Sequence, residues 1–236
     1  MEINVSNSDN SNNFVESSEK QRIILSSVYL NKRIQQAKSL GEFYSILDKI
    51  NANTRAFYQN FFCREACSRC CKKFGSPATY QIEWQNIENH LLKSNFQNID
   101  IVYKNLKQFK DNLRMELESR AKFNLDFIFN QIGCPFLIDE KCSIYTVRPL
   151  ICRTFGFSLE KHKDDTKITA DVIYTCDKEK QRWDEEIAIN KYTYLLLPQR
   201  SFLISKLAEL NVSKNKNPEA KIIIYYLNKY FEKLYE

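Results

Sequence analysis

The stretch "CREACSRCC", residues 63–71, places four cysteines within nine positions and ends on an adjacent pair. The 236-residue chain contains eight cysteines, and all of them lie between residues 63 and 176. They are Cys63, Cys67, Cys70, Cys71, Cys134, Cys142, Cys152 and Cys176. Cysteine is an uncommon residue, so this density needs a chemical explanation. Three explanations are open: disulfide bonds, unrelated buried thiols and metal binding.

Disulfide bonds are disfavoured, although eight cysteines form an even set with 105 alternative pairings. The first residues, "MEINVSNSDNSNN", have neither the basic nor the apolar region of a signal peptide. We therefore expect a cytoplasmic protein, in which thiols stay reduced. A chain of this length also buries a sizeable core without covalent staples. A bond between the neighbours Cys70 and Cys71 would be strained as well.

Unrelated buried thiols explain only part of the pattern. A free cysteine behaves as a small apolar residue and is often buried. This explanation suits one or two cysteines, such as Cys176, but it does not account for four of them in nine positions.

Metal binding accounts for the spacing best. Cys67 and Cys70 form a C-x-x-C pair, which is a chelating spacing in both zinc sites and iron–sulfur proteins. Cys63 stands one helical turn before Cys67, and Cys71 is an additional thiol. An adjacent pair of cysteines is expected where two metal centres meet, or where one of the two thiols is not bound to the metal. All-sulfur ligation does not separate zinc from an iron–sulfur cluster, so both remain candidate cofactors.

The chain is predicted to be mainly α, a helical domain around a small cysteine-rich metal-binding centre with a short β-hairpin. It has only 4 Gly and 5 Pro, and its apolar residues recur at helical spacing in most segments. Helices are predicted over 19–62 with a break at Gly41, over 81–93, 99–122 and 177–210 with an interruption near Pro198, and over 219–236. The hairpin is predicted at 134–145, a short helix after Pro149 and a strand within 166–175.

Three segments are predicted along the chain. Residues 1–18, rich in Asn and Ser, are expected to form a disordered tail. Residues 19–210 form the cysteine-cluster domain, whose motif core is 63–176. Residues 219–236 form a C-terminal amphipathic helix, which we expect to dock on the N-terminal helices; a protein partner or a second copy of the chain is the alternative.

The net charge and the hydropathy of the chain indicate which other partners it is expected to bind. The net charge of +6 is small and spread along the chain, which gives only weak support for nucleic-acid binding. No apolar run is long enough to cross a bilayer, so no membrane association is expected.

The later cysteines stand in short motifs that resemble a known family. In chain order these are Cys134-Pro135-Phe136-Leu137, Cys142-Ser143-Ile144-Tyr145, Arg148-Pro149 and Cys152-Arg153-x-Phe155. Together with "CREACSRCC" they resemble the YkgJ-type cysteine-cluster family, which is named for a CxxCxxCC pattern and described as chelating zinc or iron. The resemblance covers about 63–155, and one departure is the three residues that separate Cys63 from Cys67.

The resemblance implies a metal-chelating module and supplies no reaction. We predict that all eight cysteines provide thiolates, although Cys176 lies outside the family motif. The related flagellin lysine-N-methylases resemble enzymes built around a similar cluster, so an iron–sulfur-dependent enzyme such as a lysine N-methylase-like protein is the alternative. The sequence contains no glycine-rich nucleotide fingerprint and no His-Glu-x-x-His, and we predict no catalytic residue.

Two arginines are predicted to support the metal site. Arg148 and Arg153 flank Cys152 and would offset the excess negative charge of several thiolates, or donate hydrogen bonds to sulfur. The alternative is that both are ordinary surface arginines. His90 and His162 lack a ligand spacing to any cysteine and are expected to play no part.

Two geometric expectations follow. The sulfurs of Cys67, Cys70 and Cys71 should lie close to those of Cys134, Cys142 and Cys152, because three thiols in one turn cannot complete a four-coordinate shell. An enzyme would need a cleft beside the metal, lined by Arg148, Arg153 or carboxylates, whereas a binding module closes its shell under packed side chains. We favour the module.

Overall fold

The computed structural model describes residues 8–58, 61–63, 67–93, 96–123, 133–164, 167–173, 175–189, 197–215 and 219–235. Nine α-helices lie within these ranges, which confirms the mainly α prediction. They are α1 Ser8–Gln36, α2 Leu40–Phe57, α3 Arg69–Phe74, α4 Gln81–Lys93, α5 Ile99–Phe123, α6 Leu150–Thr154, α7 Asp177–Ile189, α8 Arg200–Val212 and α9 Ile223–Tyr235.

The strands of the described residues form three short antiparallel pairs. These are β1 Ala78–Thr79 with β6 Lys221–Ile222, β2 Leu137–Ile138 with β3 Lys141–Cys142, and β4 Leu159–Asp164 with β5 Lys167–Ile173. The β2–β3 pair is the predicted hairpin, and Asp139 and Glu140 at its tip both have positive φ, as a tight two-residue hairpin turn requires. The β1–β6 pair was not anticipated from the sequence, because two-residue strands have no readable periodicity.

The break between the first two helices lies at residues 37–39, and the predicted break at Gly41 is wrong. The Ser39 hydroxyl accepts a hydrogen bond from the Glu42 amide at 3.2 Å and caps the start of α2. The Glu42 carboxylate in turn accepts the Lys38 amide at 3.0 Å. These reciprocal bonds satisfy free amides at the helix start, so Gly41 is accommodated within the first turn. Helix α1 begins at Ser8 and overlaps the predicted tail, whose residues 1–7 lie outside the described residues.

The described residues form two large hydrophobic cores and a smaller one around Trp183. One large core joins α1, α2 and α8, and the other joins α4, α5 and α9 to the hairpin. Helix α9 packs in the second core, where Tyr226 stacks on Trp84 of α4 with ring centroids 5.7 Å apart. The expectation that this helix docks on the N-terminal helices is therefore wrong. Pairing of β6 with β1, together with a 2.9 Å bond from the Ile223 amide to the Pro77 carbonyl, fixes the start of α9 beside α4.

Candidate metal centre

The eight cysteines lie on several separate segments of the chain, and two of them, Cys134 and Cys142, pack against the core that contains α9. All of them fall within the described residues, carry free thiols and are partly buried. Cys70 and Cys71 are on α3, and Cys152 is on α6. The others lie in the segments flanking α3, in and before the β2–β3 hairpin, and just before α7.

A cavity of about 190 Å³ brings four of these cysteines together. Cys70, Cys71, Cys134 and Cys152 line it, and the sulfurs of Cys70 and Cys71 are 4.0 Å apart. The rest of its lining comprises Gly75, Ser76, Pro77, Ala78, Ile151 and Phe155. Three separate parts of the chain thus bring thiols to one partly open cavity.

Backbone hydrogen bonds hold the hairpin against α3. The Cys134 amide donates to the Cys71 carbonyl at 2.8 Å, and the Leu137 amide donates to the Cys134 carbonyl at 2.9 Å. Leu137 faces Cys142 across the hairpin. The start of the hairpin, with Cys134, is therefore fastened beside Cys71, and Cys142 lies on its second strand opposite Leu137.

A buried carboxylate fixes the helix that carries Cys152. Glu83 of α4 accepts the Leu150 amide at 2.6 Å and the Tyr80 amide at 2.7 Å, and it also accepts a hydrogen bond from the Tyr44 hydroxyl. Burial raises the pKa of Glu83 despite these bonds. Because Leu150 is the first residue of α6, Glu83 anchors the start of this helix and hence the position of Cys152.

A second buried carboxylate fixes Cys63. Glu179 of α7 is fully buried, and it accepts the amides of Phe62 at 2.8 Å and Cys63 at 3.0 Å. Arg182, also on α7 and 7% exposed, donates to Glu179 at 2.5 Å. Glu179 was not predicted from the sequence, because an acidic residue in the charged run "DKEKQRWDEE" has no local sign of such a role.

Burial disfavours the negatively charged thiolate form of most of these cysteines. Burial raises the pKa of Cys63 and of Cys134 to about 12 each, and it also raises the pKa of Cys142 and Cys152. Cys70 is the exception, since its hydrogen bond with the Cys71 thiol lowers the pKa of Cys70 to about 7. The same bond raises the pKa of Cys71. A bound cation would compensate clustered thiolates here, so the donor set fits a thiophilic metal.

The two arginines face different groups. Although burial is the main cause that raises the pKa of Cys63 and Cys152, the guanidinium of Arg148 acts in the opposite direction on both thiols. Its Nε is buried without a hydrogen-bond partner among the described residues, and the group lies 3.8 Å from the centroid of the Tyr145 ring. Arg148 is therefore a positive group beside the thiols.

Arg153 was expected beside the sulfurs, but its donors are engaged elsewhere. It donates to both carboxylate oxygens of Asp48 at 2.8 Å, and its Nε donates to the Arg148 carbonyl at 3.0 Å. It also donates to the Thr146 carbonyl. Arg153 thus holds the turn that carries Arg148 and joins it to α2.

The assignment of individual cysteines as metal ligands stays a prediction. In the described ranges, no three Cys, His, Asp or Glu side chains are gathered closely enough to share one ion as they stand. Of the six thiols expected to converge, Cys70, Cys71, Cys134 and Cys152 lie around the cavity, and Cys67 and Cys142 are not among its described lining residues. The ring of His90 packs edge-on to Phe96 at 6.2 Å, and the side chain of His162 lies outside the described residues.

The comparisons with known proteins agree with this site. A family model described as "putative zinc- or iron-chelating domain" matches residues 62–184, more than half of the chain. The site thus belongs to a class of cysteine-rich metal-chelating domains. The chain is a member of the CxxCxxCC family, which confirms the resemblance and indicates zinc or iron chelation. The match extends past the expected 63–155 and includes Cys176.

No curated protein and no solved structure matches the chain. Among the helices of the described residues, none combines the length and apolar character needed to cross a membrane.

Proposed function

We propose that this chain is a metal-binding module that holds zinc or an iron–sulfur cluster through cysteine thiolates. One observation carries the proposal: Cys70, Cys71, Cys134 and Cys152, from three separate segments, line the same small cavity. Sulfur donors suit both metals, and the free thiols fit a reducing compartment such as the cytoplasm.

The chain's own residues would prepare the site for the metal. When bound, the metal would neutralise the thiolates and cross-link α3, the hairpin and α6. Glu83 and Glu179 hold the backbone of two cysteine-bearing segments, so those thiols are positioned before any metal arrives. Arg148 adds a positive charge that offsets the excess negative charge of the ligand set.

A binding module is favoured over an enzyme. The described residues that line the cavity include no charged side chain and neither Arg148 nor Arg153. An acid–base or methyl-transfer reaction beside the metal would need polar groups to orient a substrate there. We also propose that α9 belongs to the same domain as residues 19–210, because its apolar face completes the core that contains the hairpin.

Metal analysis with an absorption spectrum of anaerobically purified full-length protein tests this proposal. We expect at least one equivalent of zinc in a colourless protein, or iron and sulfide in a brown protein with visible charge-transfer bands. Cys134→Ser and Cys152→Ser should lower the metal content. The matched control is Leu92→Ser, at an apolar residue that is 64% exposed, and it should retain the metal. Wild-type protein without stoichiometric zinc or iron would overturn the proposal.

A further inference from the structure

Arg148 is a cation beside the thiols that has no ionic partner among the described residues. Its guanidinium interacts electrostatically with one thiol from each of four segments, namely Cys63, Cys70, Cys142 and Cys152. Its Nη nitrogens make no hydrogen bond to a described residue and are not buried, so they face solvent. Arg148 therefore presents an unneutralised positive charge at the cysteine cluster.

The guanidinium is held in place by its surroundings. Arg153 donates from Nε to the Arg148 carbonyl at 3.0 Å and is itself bonded to both carboxylate oxygens of Asp48. The Tyr145 ring supports the planar group from one side, with its centroid 3.8 Å away. Pro149 follows Arg148 and restricts its backbone, which has φ −57° and ψ 148°. A cation fixed in this way loses little freedom when it binds a ligand.

The carboxylates that contact α3 and the Cys63 segment are already engaged. Glu140 pairs with Lys72 of α3, and Asp177 pairs with Lys73. Glu179 is fully buried and paired within α7. The described residues that line the thiol cavity include no carboxylate. None of these carboxylates pairs with Arg148, so its charge is available to a ligand from solution.

A free guanidinium selects its ligand by charge and shape. Its planar N–H donors match the two oxygens of a carboxylate, and such charge-assisted bonds are stronger than neutral ones. The same charge repels a bare divalent cation but attracts an anionic complex of that cation. Carboxylate chelates meet both requirements, because they carry the metal together with oxygen acceptors for the guanidinium.

We propose that Arg148 receives the metal as an anionic carboxylate complex and positions this complex for transfer to the cysteines. The inference rests on the proposed function and adds the form in which the metal arrives. During transfer, metal–oxygen bonds break and metal–sulfur bonds form. Each thiol that binds gives its proton to solvent, and the metal keeps its oxidation state. The new thiolates then neutralise Arg148, which weakens its hold on the carboxylate and releases the chelator.

Cobalt(II) provides a spectroscopic test, because thiolate ligation produces sulfur-to-metal charge-transfer absorption. Metal-free, full-length protein is mixed anaerobically with hydrated Co²⁺ or with the Co²⁺–nitrilotriacetate complex, which carries a single negative charge. The initial rate of absorbance growth is measured for each source. The quantity compared between variants is the rate from the complex divided by the rate from the hydrated ion.

Replacing Arg148 should change this ratio selectively. Arg148→Gln should lower it about tenfold, because the attraction for the complex is lost. Arg148→Lys, which keeps the charge without the planar fork, should lower it less. The matched control is Arg114→Gln, which removes the same charge from an arginine that is 70% exposed on α5, and it should leave the ratio unchanged.

The wild-type chain offers a second measurement that does not depend on the folding of any variant. Raising the ionic strength should slow transfer from the complex, because salt screens the attraction. A rate from the complex that does not fall with salt overturns the inference, and so does an unchanged ratio in Arg148→Gln. Equal slowing from both sources in that variant also overturns it, because it indicates a purely structural role.

The same experiment separates this inference from the proposed function. In each of those outcomes cobalt still reaches the thiols, so the proposed function stands. Absence of thiolate-bound cobalt from either source in the wild-type chain would overturn both proposals.

Discussion

The buried carboxylate of Glu179 accepts the backbone amide of Cys63 across a sequence separation of 116 residues. This contact brings α7 against the segment that begins the cysteine cluster. Arg182 pairs with the same carboxylate. A buried ion pair therefore holds the main chain at Cys63 in place. The two ends of the cysteine motif are thereby joined independently of any metal.

Removing the Glu179 carboxylate is expected to destabilise the fold strongly. Glu179→Ala leaves two amides and the guanidinium of Arg182 without their acceptor, and losing one partner of a buried pair costs about 3 kcal/mol. Urea denaturation measures the change in the free energy of unfolding. Glu185→Ala, at an exposed position on the same helix, is the control and should change it by less than about 0.5 kcal/mol. Equal effects of the two substitutions would contradict the assigned role.

Arg153 is expected to be irreplaceable by lysine. Its planar group bonds to both oxygens of Asp48 and to backbone carbonyls in the turn before α6, a set that one ammonium group cannot reproduce. Arg153→Lys should lower the free energy of unfolding by about 1–3 kcal/mol, mainly through unsatisfied buried groups. The control Arg114→Lys, at an arginine that is 70% exposed, should be nearly neutral. A stable Arg153→Lys protein would show that the turn is held by other contacts.

Glu83 is expected to make stability depend on pH. Burial raises its pKa in the folded state above the ordinary value of 4.5. The folded chain therefore holds this proton more tightly than the unfolded chain does. Protonation of Glu83 therefore contributes to the free energy of unfolding. This contribution is fully present below pH 4.5 and is lost as the pH rises through the folded-state pKa, with a slope of at most about 1.4 kcal/mol per pH unit.

The free energy of unfolding of wild type minus that of Glu83→Gln should thus fall as the pH rises above 4.5. A series of urea titrations at different pH values measures this difference. Glu185→Gln provides the matched control. The prediction fails if the two variants show the same pH dependence relative to wild type.

Helix α9 is expected to be an integral part of the core. Leu227 is fully buried against α4 and α5, whereas Leu234 on the same helix is 47% exposed. Leu227→Ala should lower the free energy of unfolding by about 2–5 kcal/mol, because it removes packed methyl groups and leaves a cavity. Leu234→Ala should cost much less. Similar small effects at both positions would mean that this helix is not docked on its own chain in solution.

The sequence predicted the helices better than their boundaries. Residues Val102, Leu106 and Phe109 repeat at helical spacing, and they lie on the buried side of α5. The break between α1 and α2 was misplaced at Gly41, although the Ser39-x-x-Glu42 pattern is a capping signature that identifies the start of α2. Glycine is a weak helix breaker when a cap on its N-terminal side already fixes the first turn.

The cysteines could be identified because their spacing is a local signal. The residues that hold them could not, since their partners are distant in the chain. Arg153 bonds to Asp48 across 105 residues, and Glu83 bonds to the Leu150 amide across 67. An isolated acidic or basic residue in the sequence carries no sign of such a partner.

The pairing of β1 with β6 has a consequence for biosynthesis. Pro77 and Ala78 line the thiol cavity, and they are held by the Ile223 amide and by the pairing of Ala78 with Ile222. All eight cysteines are translated before residue 177, but this wall is secured only after residues 219–235 leave the ribosome. The thiols consequently stay open to a metal donor while residues 177–218 are translated, and pairing of β6 with β1 then completes this wall of the cavity.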